Sequence, residues 1–265
     1  MTTEKPHLDR SAASLPLKRQ SKHSNRPALL ISVRNGAEAR IVLEGGVDFL
    51  DVKEPLNGPL GAASKETLNE ISVLMESAPD IHFSAALGEL QNFQDERNAF
   101  SLPEEVDFVK LGLSGCRSRA EWESDFRQLQ SDISGLTSRG QLNWVAVAYA
   151  DHGTCDAPTP DQVLTLAIET GCVGLLVDTY SKNGLSTFDF MSAAELKRLR
   201  QSCQSHDLFF ALAGSIRPIH LPQIRDVDPD IIAVRGAVCK TMDRTGEISL
   251  AAIEQFKASL RAVAS

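Results

Sequence analysis

Phe49-Leu50-Asp51-Val52-Lys53 is an apolar run that closes on an acid and an amine. Successive side chains of a strand point to opposite faces, so Asp51 and Lys53 share one face. The pattern returns downstream. Phe108-Val109-Lys110-Leu111 places a lysine inside an apolar run, and Leu175-Leu176-Val177-Asp178 ends on an aspartate with Lys182 one short loop beyond. A lysine in such a run is costly to bury unless it is paired or deprotonated. Several of them at strand ends point to one shared pocket.

Around this run the chain alternates short apolar segments with amphipathic ones. Leu29 to Val33 reads as a first strand, and Asn35 caps a helix that Gly45-Gly46 stops. After Lys53, the stretch Glu54-Pro55-Leu56-Asn57-Gly58-Pro59-Leu60-Gly61-Ala62 reads as a shaped loop whose glycines let backbone amides approach a ligand. Ser64 or Lys65 opens the next helix. Further strands are expected at Ile81 to Ala86, Val106 to Leu111, Trp144 to Tyr149, Gly174 to Val177, Leu208 to Ala213 and Ile231 to Val234. Helices are expected through Trp122, Phe126 and Leu129, from Pro160 to Gly171, from about Phe188 to Arg200, from Pro218 to Ile224 and from Leu250 to Val263. His82 is the obvious polar residue of the third strand, and a lone strand histidine reads as structural.

Eight strands alternating with helices, without a break in composition, give a single-domain α/β fold, a (β/α)8 barrel. An open doubly wound sheet is the runner-up, weakened because no G-x-G-x-x-G follows the first strand. The length of 265 residues suits one barrel of roughly 250. Residues 1–26 are polar and lack the apolar core of a secretory signal, so they read as a mobile leader, with the catalytic barrel over 27–265.

The net charge of −8 and pI near 5.3 argue against nucleic acid or an anionic membrane as the main partner, while leaving room for an anionic small substrate. No apolar stretch reaches the roughly 18 residues of a membrane span. The cysteine count is odd, at five, with no CxxC spacing, as expected of reduced thiols in a cytoplasmic protein. HExxH, EF-hand, Walker and G-x-S-x-G patterns are absent, so no metal or cofactor is expected.

In a barrel of this kind the strands' carboxyl ends face the active site. Asp51, Lys53, Lys110, Asp151, Asp178 and Lys182 would then ring one mouth. Gly214-Ser215 and Arg235-Gly236-Ala237 follow strands seven and eight, the usual phosphate position in this architecture. A lysine desolvated near another ammonium becomes a nucleophile toward carbonyls, which Lys53 beside Lys110 would satisfy. Asp51 and Asp178 would orient the amines and relay protons. A set of internal ion pairs is the plainer alternative.

These motifs resemble a known family. Asp51-Val52-Lys53-Glu54-Pro55 with Gly58-Pro59-Leu60-Gly61, Val109-Lys110-Leu111-Gly112, Val147-Ala148-Tyr149-Ala150-Asp151, Val177-Asp178-Thr179 with Lys182 and Phe188-Asp189, Leu212-Ala213-Gly214-Ser215, and Val234-Arg235-Gly236-Ala237-Val238-Cys239 are similar to the (5-formylfuran-3-yl)methyl phosphate synthase family. The likeness covers residues 28 to 240, nearly the whole folded part. It implies a metal-free homo-oligomeric barrel that condenses two glyceraldehyde 3-phosphate molecules into (5-formylfuran-3-yl)methyl phosphate, with loss of phosphate and water, early in methanofuran biosynthesis. It places the Schiff-base lysine on Lys53 and the proton-accepting lysine on Lys110, and matches supporting groups to Asp51, Asp178 and Lys182. Lys182 and the two glycine turns would hold phosphate. Two other readings stay open: a phosphosugar isomerase or epimerase without an imine, and a phosphometabolite sensor without turnover.

Overall fold

The computed structural model describes residues 26–93, 101–134 and 142–264. Eight parallel strands close into one barrel in chain order. They are β1 (Ala28–Val33), β2 (Phe49–Val52), β3 (His82–Glu89), β4 (Phe108–Gly112), β5 (Asn143–Tyr149), β6 (Gly174–Asp178), β7 (Phe209–Leu212) and β8 (Ile231–Val234). The helices are α1 (Gly36–Gly45), α2 (Lys65–Met75), α3 (Leu90–Phe93), α4 (Trp122–Ser134), α5 (Pro160–Glu169), α6 (Thr187–Phe190), α7 (Ala193–Ser205), α8 (Leu221–Val227) and α9 (Leu250–Ala264). The doubly wound alternative is excluded by the pairing of β1 with β8, where Ala28 faces Ile231 and Ile31 faces Val234.

The alternation of each strand sorts the core into two layers. Phe49, Phe108, Val145, Val147, Leu176, Phe209 and Ala211 fill the lumen, while Leu50, Val52, Val109, Leu175 and Phe210 pack beneath the helices. Because Phe49 points inward, Asp51 points inward two residues later, at the layer where packing gives way to chemistry.

Local chemistry sets the helix limits. Asn35 accepts the Glu38 amide at the start of α1, and Gly46 ends it at φ 65°, a left-handed cap that suits glycine. Thr159 and Gln162 form a capping box before Pro160. The segment expected as one helix from Phe188 to Arg200 is two. Met191 is extended, and Ser192 caps α7 by accepting the Glu195 amide.

The leader falls outside the described residues except for Arg26, whose guanidinium donates to Asp48 at 2.8 and 3.2 Å. That pairing ties Arg26 to the barrel floor. His82 lies at the same end, against the Phe49 and Phe108 rings at centroid distances of 4.8 and 5.6 Å, away from the strands' carboxyl ends. All five cysteines are free thiols. Among the described residues no helix is long and apolar enough to cross a membrane.

Candidate active site

A cavity of about 180 Å³ opens at the carboxyl ends of the strands. Asp51 and Lys53 reach it from the end of β2, Lys110 from β4, and Asp178 with Lys182 from the end of β6. Gly214, Ser215, Gly236 and Ala237 contribute the turns after β7 and β8.

Two ion pairs organise the polar wall. Lys110 Nζ donates to Asp51 Oδ1 at 2.5 Å with both groups buried, and the Ser32 and Ser84 hydroxyls donate to the same carboxylate at 2.8 and 3.0 Å. Burial works to raise the Asp51 pKa, but Lys110 and Lys53 outweigh it and hold the carboxyl below its ordinary range. Across the cavity, Lys182 Nζ donates to Asp178 Oδ1 at 2.9 Å and to the Thr179 carbonyl at 2.5 Å. Burial again opposes ionisation of Asp178, and Lys182 and Lys53 again prevail, so its pKa is lowered.

Lys53 stands between the pairs. Its Nζ makes no hydrogen bond or ion pair among the described residues. Burial lowers its pKa from 10.5 to about 8, and the Lys182 and Lys110 ammoniums push the same way, against Asp178 and Asp51. A partly buried, unpaired lysine near neutrality is equipped to attack a carbonyl.

The turns after β7 and β8 are shaped by neighbours. Gly214 has φ 88°, and a Cβ there would lie 2.0 Å from Thr187 Oγ1, so only glycine fits. Ser215 follows at φ 52°. The Thr187 amide donates to the Gly214 carbonyl at 3.1 Å, clasping the β6 loop to the turn.

Two residues assigned to the mouth from sequence do other work. The Asp151 carboxylate accepts the Tyr180 and Ser181 amides at 2.6 and 2.8 Å, so it shapes the β6 loop and does not line the cavity. The Arg235 guanidinium is buried and donates to Glu38 at 2.7 and 3.1 Å and to the Ser32 carbonyl at 2.9 Å. Only its backbone and the turn it opens remain for an anion.

Other residues escaped the sequence reading. Arg217 and Arg244 line the cavity. Both sit in loops without local periodicity, and nothing in the sequence brings Arg244 back to the mouth. Glu89 ends β3, where the Tyr149 hydroxyl donates to it at 2.6 Å and the Ser114 amide at 2.9 Å. Burial raises its pKa despite those bonds. The strand-end rule that picked out Asp51 and Asp178 would have found Glu89 had the strand been carried past Ala86.

The 4-HFC-P synthase family model matches residues 29–257. A (5-formylfuran-3-yl)methyl phosphate synthase from Methanopyrus kandleri is 35% identical over 83% of this chain and 92% of its own. The chain belongs to this family. A synthase of the same name from Methanothermobacter thermautotrophicus is 30% identical over 86% of this chain and 97% of its own. Among solved structures, 3-hexulose-6-phosphate synthase from Salmonella typhimurium aligns with a TM-score of 0.57 at 19% identity, over 89% of this chain and 99% of that one. Thiamine phosphate pyrophosphorylase from Pyrococcus furiosus aligns at 0.54 and 16% identity, over 90% and 97%. At such identities these structures speak to the fold alone. The matched residues span the closed barrel and include the mouth built by Lys53 and its flanking ion pairs.

Proposed function

We propose that the protein is a (5-formylfuran-3-yl)methyl phosphate synthase that joins two glyceraldehyde 3-phosphate molecules through an imine on Lys53. The observation that carries this reading is Lys53 itself, unpaired between two lysine–aspartate pairs with its pKa lowered to about 8.

The neutral Lys53 amine attacks the carbonyl of one triose phosphate, and loss of water leaves an iminium. The iminium withdraws electrons from the neighbouring carbon and makes its proton removable. The Asp51–Lys110 pair, joined at 2.5 Å, is placed to take and return protons. The resulting enamine carbon attacks the aldehyde of the second molecule. Elimination of one phosphate, ring closure, dehydration and hydrolysis of the iminium give the furan and free Lys53, with one phosphate and two waters lost overall. Lys182, held by Asp178, and the amides of the Gly214-Ser215 and Gly236-Ala237 turns steady a phosphate during these steps.

The test is to incubate the purified protein with glyceraldehyde 3-phosphate alone. A furan chromophore rising in step with inorganic phosphate is the expected outcome. Interconversion of triose or sugar phosphates without a chromophore would make the protein an isomerase or epimerase, and binding without any conversion would make it a sensor.

A further inference from the structure

Three cations of the cavity wall each pair with a carboxylate: Lys110 with Asp51, Lys182 with Asp178 and Arg235 with Glu38. Arg244 is held differently. It sits in the loop between β8 and α9, half-buried on the cavity wall. Its Nη2 donates to the Pro55 and Gly58 carbonyls at 3.0 and 2.9 Å, within the loop that follows Lys53. Its own carbonyl accepts from Arg235 Nε. The side chain is thus fixed by the β2 loop and its backbone by Arg235, and no carboxylate forms an ion pair with the guanidinium among the described residues. Nε and Nη1 have no hydrogen-bond partner there either.

A guanidinium cannot shed its charge in a protein, so a half-buried one with unused donors is an open anion site. The proposed reaction supplies the need. Two phosphate esters must be present together before bond formation, and two dianions in one low-dielectric mouth repel strongly. The β7 and β8 turns and Lys182 serve one of them. We infer that Arg244 anchors the phosphate of the second triose molecule, in a subsite beside the β2 loop and separate from the glycine turns. This rests on the reading that the cavity takes two phosphorylated molecules.

Titration with inorganic phosphate, followed by calorimetry, tests the inference without turnover. The wild-type protein should take up two phosphates per chain, and Arg244→Ala one. Arg244→Lys keeps the charge but loses the fork to Pro55 and Gly58, and should weaken the second site about ten-fold or more. The lysine variant decides the matter if the alanine variant does not fold. In turnover, Arg244→Lys should raise the triose concentration for half-maximal furan formation about ten-fold, with the plateau rate kept within about three-fold. A wild-type protein that binds only one phosphate, or variants that still bind two with unchanged affinity, would overturn the inference. Failure of the synthase reading is separately visible, as a wild-type protein that makes no furan.

Discussion

At neutral pH an ordinary lysine is almost wholly protonated, and a protonated amine has no lone pair for a carbonyl. A pKa of about 8 leaves roughly one Lys53 in ten neutral at pH 7, against about one in three thousand for an unperturbed side chain. The single-turnover rate of imine formation should therefore rise about ten-fold per pH unit and level off near pH 8. Asp178→Asn removes an anion that raises the Lys53 pKa while leaving the Lys182 cation, so the plateau should begin at lower pH. A rate that climbs past pH 10, or a plateau that moves upward in Asp178→Asn, would contradict this account. The same shift costs stability. The penalty is full below about pH 8 and fades as pH rises toward 10.5, where the unfolded chain also loses the proton. Asp51 and Lys53 were legible because the period-two alternation dictates a shared face. The pairing of Asp51 with Lys110 was not, since it joins strands 59 residues apart.

Among the elements, β3 departs most from its sequence pattern. The expected strand stops at Ala86, yet β3 continues through Leu87 and Gly88 to Glu89, with a register shift against β4 between Ala86 and Glu89. Gly88 at φ 89° lets the bulge form. The strand's last residue then accepts from the Tyr149 hydroxyl and the Ser114 amide. Periodicity cannot show such a bulge, because the irregular residues break the alternation that identifies the strand. Glu89→Ala would leave both donors buried without an acceptor, at about 1–3 kcal/mol each. A clear fall in melting temperature is expected, largely restored in Glu89→Gln, which keeps one acceptor oxygen. An alanine variant that melts with the wild type would show that β3 does not depend on this carboxyl. The break between α6 and α7 has the same origin: a serine cap interrupts a segment whose apolar spacing reads as continuous.

For the whole molecule, the βα rhythm made the barrel readable, since eight apolar runs at strand length separated by amphipathic segments leave few other closures. The seam between first and last strands is fastened by groups no local pattern connects. Arg235, just after β8, reaches Glu38 in α1 across 197 residues. Sequence position marked the Arg235-Gly236-Ala237 turn for phosphate and left the guanidinium without a role, because its partner Glu38 is visible only once the barrel has closed. Arg235→Met should strand the buried Glu38 carboxylate and cost about 3–5 kcal/mol. The urea midpoint should fall with the slope unchanged, since the same surface is exposed on unfolding. A midpoint equal to that of the wild type would mean the seam closes without the pair.

The central claim is that the Lys53 amine takes a sugar carbonyl into covalent bond at this mouth. The direct measurement is borohydride reduction in the presence of glyceraldehyde 3-phosphate, followed by peptide mass analysis. The account predicts a stable triose phosphate adduct on the peptide carrying Lys53, and none in Lys53→Arg. Furan formation that proceeds at full rate with no adduct on Lys53 would contradict it.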